Sequence, residues 1–140
     1  MVGQSGPGGA SRVAAMGLEA GQVVQELGWD DDVDESLREG IMDAIDADLV
    51  EDPVEAVDAV VLWWRDEDGD VADGLVDALR DLSRSGHIWL LTPKVGRDGH
   101  VGPTDIAEGA VTAGLTLANV ANVSSHWQAQ KVVRPKAGRR

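Results

Sequence analysis

Residues 58–64 read DAVVLWW, a run that is apolar at every position after the first. Continuous apolar runs of this length are typical of strands that are buried on both faces of a sheet. A second run of the same kind, HIWLLT, follows at residues 87–92, and between the two lies an amphipathic helix pattern with Asp70 as its N-cap and Gly86 as its stop. The order strand, helix, strand predicts a parallel pair joined by a helical crossover.

The alternation of strands and helices continues on the N-terminal side. Residues 21–27 predict a short strand that ends at Gly28, and the apolar positions between 33 and 49 recur at helical spacing. Asp32 followed by Glu35 has the spacing of a capping box, with Asp in place of the usual Ser or Thr. We therefore expect an amphipathic helix that begins beside Asp32 and directs its acidic residues to solvent.

On the C-terminal side, a helix and two strands complete the pattern. The helix is predicted to begin at Thr104 or Asp105 and to end at Gly114. Residues 115–123 and 131–133 predict two strands without a helix between them, which favours an antiparallel pair. The whole order predicts an α/β fold with a mostly parallel sheet, helices on both faces and a C-terminal antiparallel strand pair.

Length and composition predict one domain. The chain has 140 residues, 43% of them hydrophobic, and we expect a single α/β domain at residues 16–134, between a mobile tail at 1–15 and a basic tail at 135–140. No apolar run approaches the length of about 18 residues that a membrane span needs. Residues 1–15 lack the pattern of a secretory signal, and the chain has no Cys, so we expect a cytoplasmic protein.

Charge is divided unevenly along the chain. The formal net charge is −13 at pH 7, but residues 26–83 carry −18 and residues 84–140 carry +5. An acidic surface of this size repels nucleic-acid phosphates, so we do not expect nucleic acid as a partner. The acids either keep the protein soluble or form a contact surface for another protein.

The turn after the first predicted strand is the main candidate site. The sequence ELGWDDD holds five candidate binding residues: Glu26, Gly28, Trp29, Asp30 and Asp32. This frame resembles the E-x-G-x-G-x-G turn of Rossmann-like S-adenosylmethionine methyltransferases, where glycines let the backbone approach the ligand. Asp30 and Asp32 stand where the second and third glycines belong, and their carboxylates would repel the carboxylate of that cofactor.

A second group of candidates lies in the loop after HIWLLT. Lys94 and Arg97, with His100 nearby, form a small cationic cluster that could hold a phosphate or a carboxylate, including the carboxylate of a bound adenosylmethionine. Alternatively, the two cations pair with the acidic loop at residues 30–34, which is expected at the same edge of the sheet. We favour this second interpretation.

Tryptophan placement adds further candidates. Trp63 and Trp64 are consecutive in one strand and must face opposite sides of the sheet, so one of them can reach the ligand crevice. Trp29 and Trp127 are predicted to be the more exposed tryptophans, available for stacking on a ligand or on a partner side chain.

The sequence predicts no metal centre and no catalytic set. The acidic loops have the spacing of the first calcium ligands of an EF-hand but lack its Gly and its final Glu. A weak magnesium site between these loops is the alternative; we interpret Asp32 and Asp70 as helix caps. The three His residues lack zinc-ligand spacing, and no Ser stands in a nucleophile elbow.

Longer segments are similar to one known family. These segments are VVQELGWDDDVDESLREGI, VDAVVLWWRDEDGD, HIWLLTPKVGRDGHVGPTDI and TAGL. Across residues 22–133 the chain resembles the small, mainly actinobacterial proteins catalogued as domain of unknown function 3052. The resemblance implies a three-layer, Rossmann-like sandwich of the methyltransferase type, without an established activity.

Three functions agree with these features. The first, which we predict, is a non-catalytic binding or regulatory protein that contacts a protein partner and holds no cofactor. The alternative is a protein that binds S-adenosylmethionine or a nucleotide, in effect a reduced methyltransferase. The third is an acidic mimic of nucleic acid, which requires a basic partner whose binding weakens steeply with salt.

Overall fold

The structure is a computed structural model that describes residues 12–135. In this range the helices are α1 (Glu35–Ile45), α2 (Val71–Leu79) and α3 (Pro103–Thr112). The strands are β1 (Val24–Leu27), β2 (Val57–Trp63), β3 (Leu82–Pro93), β4 (Thr116–Ala121) and β5 (Trp127–Val133). Short 3-10 helices occupy Ala14–Met16 and Asp66–Asp68. None of the described helices is long and apolar enough to cross a membrane.

The tails predicted from the sequence lie mainly outside the described residues, which exclude 1–11 and 136–140. Residues 12–15 were assigned to the N-terminal tail, but they are described, and Val13 is only 1% exposed. Val13 packs in the hydrophobic core, so the folded unit begins before residue 16.

The described residues form one five-stranded sheet in the order β1-β2-β3-β5-β4. β1 and β2 are parallel, as are β2 and β3, whereas β5 is antiparallel to both β3 and β4. The predicted antiparallel pairing of the last two strands is confirmed. The sheet is mixed rather than mostly parallel, because β5 begins at Trp127 instead of 131 and pairs along β3 from Pro93 to His87.

The side chains of β2 alternate between two hydrophobic cores. Val61 and Trp63 pack in the core that α1 covers, whereas Val60 and Leu62 pack in the core that α2 and α3 cover. Helices therefore lie on both faces of the sheet, and the three-layer α/β arrangement expected from the apolar run at 58–64 is present.

Two helices are shorter than the sequence predicts. α1 ends at Ile45 because Asp46 takes a left-handed backbone conformation, with φ of 58°. α2 ends at Leu79, and Leu82, which fits the apolar stripe of that helix, instead pairs with Val57 at the start of β2. Backbone pairing across the sheet decides where the helix stops, and periodicity along the chain does not contain that information.

A single residue, Val50, adds to the sheet on the outer side of β1. It forms a parallel bridge with Gln25, in which the Glu26 N–H donates to the Val50 carbonyl at 2.8 Å and the Val50 N–H donates to the Val24 carbonyl at 3.0 Å. The chain therefore crosses from β1 through α1 to Val50 in one direction along the strand order. It crosses from β2 through α2 to β3 in the opposite direction and over the opposite face of the sheet. Both crossovers then have the same hand, and the strand order reverses at β1.

Candidate functional site

The candidate site lies where β1, β2 and β3 end. Because these strands are parallel neighbours, their carboxyl ends lie side by side. The loops that follow them, residues 28–34, 64–70 and 94–102, form one polar surface, which we call the carboxyl edge. Open α/β sheets bind their ligands at such an edge, next to the point where the strand order reverses.

Glu26 is a buried anchor at this edge. It is 4% exposed, and Arg38 donates to it from Nε at 2.7 Å and from Nη2 at 2.8 Å. Trp63 Nε1 donates to the same carboxylate at 2.9 Å. The hydrogen bonds to Glu26 raise the pKa of Arg38 above its ordinary value. This candidate pocket residue thus joins β1, α1 and β2, with both carboxylate oxygens engaged.

Gly28 allows a close approach of two backbone segments. Its φ is +79°, and a Cβ at this position would lie 2.2 Å from the Trp63 carbonyl oxygen. Any other residue would be strained by its backbone conformation and would clash with the end of β2. From the sequence we expected this glycine to make room for a ligand, but the neighbour it accommodates is the chain itself.

Arg65 fills the space between the ends of β1 and β2. It is 7% exposed, and its Nη1 donates to the Gly28 carbonyl at 2.7 Å. Its Nε donates to one Asp32 oxygen at 3.0 Å and its Nη2 to the other, which makes a bidentate ion pair. The guanidinium carbon also lies 5.2 Å from the centroid of the Trp127 ring. Arg65 therefore closes the turn that was predicted to bind a cofactor.

The electrostatics of this pair follow from its geometry. The hydrogen bond from Arg65 holds the pKa of Asp32 below its usual value, against the effect of partial burial. Burial disfavours the charged form of Arg65, but hydrogen bonds and charge from Asp32 and Asp68 raise its pKa overall. Arg65 was not among the candidate residues predicted from the sequence. A signal was present, because it is the only basic residue between Arg38 and Arg80 and directly follows a buried strand.

The cationic cluster after β3 is not the partner of the acidic loop. Among residues 12–135, no ion pair joins Lys94 or Arg97 to residues 30–34; Asp32 pairs with Arg65 instead. Arg97 donates to the His126 carbonyl at 3.0 Å, and His100 Nδ1 lies 2.9 Å from the Pro93 carbonyl. Our prediction that Lys94 and Arg97 pair with the acidic loop is therefore wrong. Arg65, which follows the neighbouring strand, pairs with Asp32 of this loop instead.

The N-terminus of α1 already has a carboxylate. Asp34, not Asp32, is the N-cap, since its Oδ1 accepts from the Leu37 N–H at 3.0 Å. Ser124 Oγ donates to the other Asp34 oxygen at 2.6 Å. The predicted cap at Asp70 is confirmed by a 2.9 Å hydrogen bond from the Ala72 N–H. Within the described part of the chain, no group of acidic and His residues is arranged to hold a metal ion.

Two tryptophans predicted to be exposed differ in the structure. Trp29 is 49% exposed, as expected, whereas Trp127 is only 1% exposed. Trp127 opens β5 and packs edge-on against Trp63, with 4.9 Å between the ring centroids. The prediction for Trp127 was wrong because β5 begins earlier than the sequence suggested, which places this residue in the core.

Trp29 borders an open cavity on the outer side of β1. The cavity has a volume of about 630 Å³. Its lining residues are Glu26, Trp29, Arg38, Leu49, Glu51 and Asp52. Of the candidate residues in the first turn, Trp29 and Asp30 are exposed and face solvent, whereas Glu26, Gly28 and Asp32 are engaged by other parts of the chain.

Comparison with known proteins identifies the family. A family model described as "Protein of unknown function (DUF3052)" matches residues 13–136. The chain belongs to this family. An uncharacterized protein of Mycobacterium tuberculosis is 44% identical over 145 residues, which cover 95% of this chain and 91% of the relative.

Solved structures show what the fold is similar to. The magnesium protoporphyrin IX methyltransferase of Synechocystis PCC 6803, solved with bound SAM, matches with a TM-score of 0.55 and 12% identity over 90% of this chain and 76% of that one. The CcbJ methyltransferase of Streptomyces caelestis matches with a TM-score of 0.57 and 12% identity over 96% and 92% of the two chains. This DUF3052 protein therefore has a methyltransferase-like α/β fold, as its sequence motifs implied.

Proposed function

We propose that this DUF3052 protein is a non-catalytic binding or regulatory protein, which uses a methyltransferase-like fold to present its first loop to a protein partner. The closure of the carboxyl edge by Arg65 is the observation that carries this proposal. Its guanidinium engages the Gly28 carbonyl and Asp32, at the turn where a cofactor would approach the backbone. A ligand there would first have to break a bidentate ion pair whose guanidinium side is buried.

The charge at this turn supports the same function. The N-terminus of a helix favours an anion, but Asp34 already supplies one to α1. Asp30 and Asp31 add two exposed carboxylates to the loop. The carboxylate of S-adenosylmethionine or the phosphates of a nucleotide would therefore meet negative charge rather than free N–H donors.

Trp29 gives this loop a contact residue for a protein. It is 49% exposed beside the acidic residues of the loop. Tryptophans that are partly exposed and surrounded by polar residues are common hot spots of protein interfaces. We infer that the partner buries the Trp29 ring and that the surrounding acids form the rim of the interface.

One observation favours a second candidate, binding of an adenosine-type ligand. The strand order reverses at β1, and Glu51 follows the Val50 bridge 23 residues after Gly28. In dinucleotide-binding folds an acidic residue about 20 residues after the glycine turn binds a ribose hydroxyl. The open cavity beside Trp29 and Glu51 would be the place for such a ligand.

A two-dimensional amide NMR titration with S-adenosylmethionine and S-adenosylhomocysteine separates these functions. We expect no saturable shifts at millimolar ligand, because Arg65 and the acidic loop oppose binding. Saturable shifts centred on residues 26–32 and 63–66 would overturn the proposal and favour the second candidate. If the wild type does not bind, the titration is repeated with Arg65→Ala. Binding by this variant would mean that the guanidinium excludes the cofactor.

The contact role of Trp29 has its own test. The wild type, Trp29→Ala and Val54→Ala would each be immobilised and exposed to a mycobacterial lysate. Val54 is 96% exposed and serves as the matched control for removal of a surface apolar side chain. We expect a protein that the wild type and Val54→Ala retain and Trp29→Ala loses. Equal retention of every captured protein by all three would contradict the assignment.

A further inference from the structure

A second cavity lies on the opposite face of β1 and shares Glu51 and Asp52 with the cavity beside Trp29. Its volume is about 270 Å³, and it runs between β1, the end of β2 and the α2 helix. The residues that matter for its chemistry are Gln25, Glu51, Asp52, Trp64, Asp77 and Asp81. The cavity exists because, among residues 12–135, only the one-residue bridge at Val50 extends the sheet beyond β1.

Gln25 lines this cavity and has an acceptor that no described residue pairs. Its side chain is 4% exposed, and its Nε2 donates to the Glu51 carbonyl at 3.0 Å, which fixes the orientation of the amide. The other end of the amide, Oε1, is buried and contacts no donor among the described residues. Buried acceptors in folded proteins are nearly always paired, and an N–H donor from a bound group would satisfy this oxygen.

Trp64 supplies a rigid aromatic wall. A Cβ at Gly74 would lie 2.7 Å from the Trp64 ring, so the glycine lets the indole lie against the backbone of α2. The indole N–H donates to the Gly69 carbonyl at 3.1 Å, which fixes the ring further. A half-buried, fixed indole is a good surface for a cation, because the face of the ring is electron-rich.

The charges around the cavity favour a positively charged ligand. Glu51, Asp52, Asp77 and Asp81 line it, against the single cation of Arg80. The one ion pair among these residues joins Arg80 to Asp77 at 3.6 Å on the exposed side of α2, where it is screened by solvent. An anionic ligand is excluded, and a cation with several N–H donors fits.

We propose that this cavity binds an arginine side chain of a partner protein, an inference that rests on the proposed protein-binding function. A guanidinium carries five N–H donors in one plane, so it can stack on Trp64 and donate to Gln25 Oε1 and to a rim carboxylate together. A volume of about 270 Å³ is below the usual range for drug-sized ligands and is suited to one side chain.

The test compares two blocked peptides in NMR titrations of the full chain at low salt. One is acetyl-Gly-Arg-Gly-Arg-Gly-amide, and the other has citrulline, the neutral isostere, at both Arg positions. We expect saturable shifts of the Gln25 side-chain amide and the Trp64 indole N–H with the arginine peptide, and a Kd at least about tenfold weaker for the citrulline peptide.

Two variants locate the effect. Gln25→Leu removes the acceptor and Asp81→Asn removes one rim charge, and each is expected to weaken the arginine peptide by about fivefold or more. Asp105→Asn makes the same charge change in the first turn of α3, where it does not line the cavity, and is expected to change the Kd less than twofold. Because Asp81→Asn keeps the size of the side chain, it remains informative if Gln25→Leu does not fold.

Three outcomes would overturn the inference: equal binding of the citrulline peptide, no saturable shift at Gln25 or Trp64, or an equal effect of Asp105→Asn and Asp81→Asn. The last would mean that the acidic surface attracts basic peptides without a specific cavity. These failures differ from a failure of the proposed function, which saturable binding of S-adenosylmethionine at residues 26–32 would indicate.

Discussion

The two faces of β1 bury neighbouring polar side chains in different ways. Glu26 and Gln25 are each 4% exposed and point to opposite faces of the sheet. On the α1 side, three donors from Arg38 and Trp63 engage the Glu26 carboxylate. On the α2 side, Gln25 lines a cavity and keeps one oxygen that no described residue pairs. The first face uses its polar group for stability, and the second leaves a group available for a ligand.

The largest expected effect is the loss of the Glu26 anchor. In Glu26→Ala, the Arg38 guanidinium and the Trp63 indole N–H lose their acceptor, so the free energy of unfolding should fall by about 3 kcal/mol. The Arg38 side chain is 20% exposed and can regain some hydration, which keeps the loss at the lower end of the range for a broken buried pair. Urea denaturation followed by tryptophan fluorescence measures the change.

The matched control for this variant is Glu35→Ala. Glu35 is the other carboxylate partner of Arg38, at 2.9 Å, and its side chain is 56% exposed. An exposed pair of this kind contributes less than about 1 kcal/mol. If both variants lower the free energy of unfolding equally, Glu26 is not the buried anchor of the α1 side.

Arg65→Ala is expected to cost about 2 kcal/mol, because it leaves the Gly28 carbonyl and Asp32 without their donor. It should also open the first loop, which hydrogen exchange would detect as faster exchange of the amides at residues 28–34. Arg97→Ala is the control, since Arg97 also lies over the Trp127 ring, at 5.8 Å, but makes no ion pair with this loop among the described contacts. Comparable exchange rates in the two variants would contradict a closing role for Arg65.

The features that could be predicted from the sequence are the local ones. The apolar run at 58–64 and the amphipathic patterns on either side of it identified β2, α1, α2 and the two-sided sheet, because periodicity records which face is buried. The opposite orientation of Trp63 and Trp64 followed from the strand alone, and it is confirmed by their packing in different cores. These elements needed no knowledge of distant neighbours.

The features that could not be predicted depend on contacts distant in the sequence. Arg65 meets Asp32 across 33 positions, and Ser124 meets Asp34 across 90. The acids at 30–32, 34 and 35 offered several N-caps of similar local quality, and the hydroxyl of Ser124 holds Asp34 in that position. The unpaired oxygen of Gln25 has no local signal either, since it depends on what the sheet lacks beyond β1.

His87 is a half-buried polar residue to compare with Glu26 and Gln25, and it lies at the end of the sheet opposite the carboxyl edge. Its Nε2 is buried and has no hydrogen-bond partner in the described part of the chain. Burial, with the charge of Lys131, lowers the pKa of His87 to about 4 against the opposite influence of Asp58. The unfolded chain takes up a proton near pH 6.5 and the native state does not, so stability should fall as the pH drops from about 6.5 to about 4. Because His87 is only half-buried, we expect a loss of about 1–2 kcal/mol.

The contribution of His87 is separated from the titration of the many carboxylates by comparing the wild type with a variant that lacks the imidazole. The free energy of unfolding would be measured against pH for the wild type and for His87→Asn, which cannot titrate in this range. The difference between the two curves should change between pH 6.5 and pH 4 and be flat above pH 7.5. A native pKa of His87 near 6.5 by NMR would refute this dependence.

The smallest expected effect tests the comparison between Glu26 and Gln25 most directly. Replacing the buried polar residue Gln25 should hardly change the free energy of unfolding. Gln25→Leu removes an unpaired buried acceptor and gives up one hydrogen bond to the carbonyl of exposed Glu51, which water can replace. We expect the free energy of unfolding to change by no more than about 0.5 kcal/mol in urea denaturation.

Gln130→Leu is the matched control: Gln130 is 7% exposed, and its Nε2 donates to the carbonyls of Ala118, Asn119 and Lys131. That variant should cost about 1 kcal/mol or more. If Gln25→Leu costs as much, Gln25 stabilises the fold as Gln130 does, and the cavity beside it has no acceptor left for a ligand.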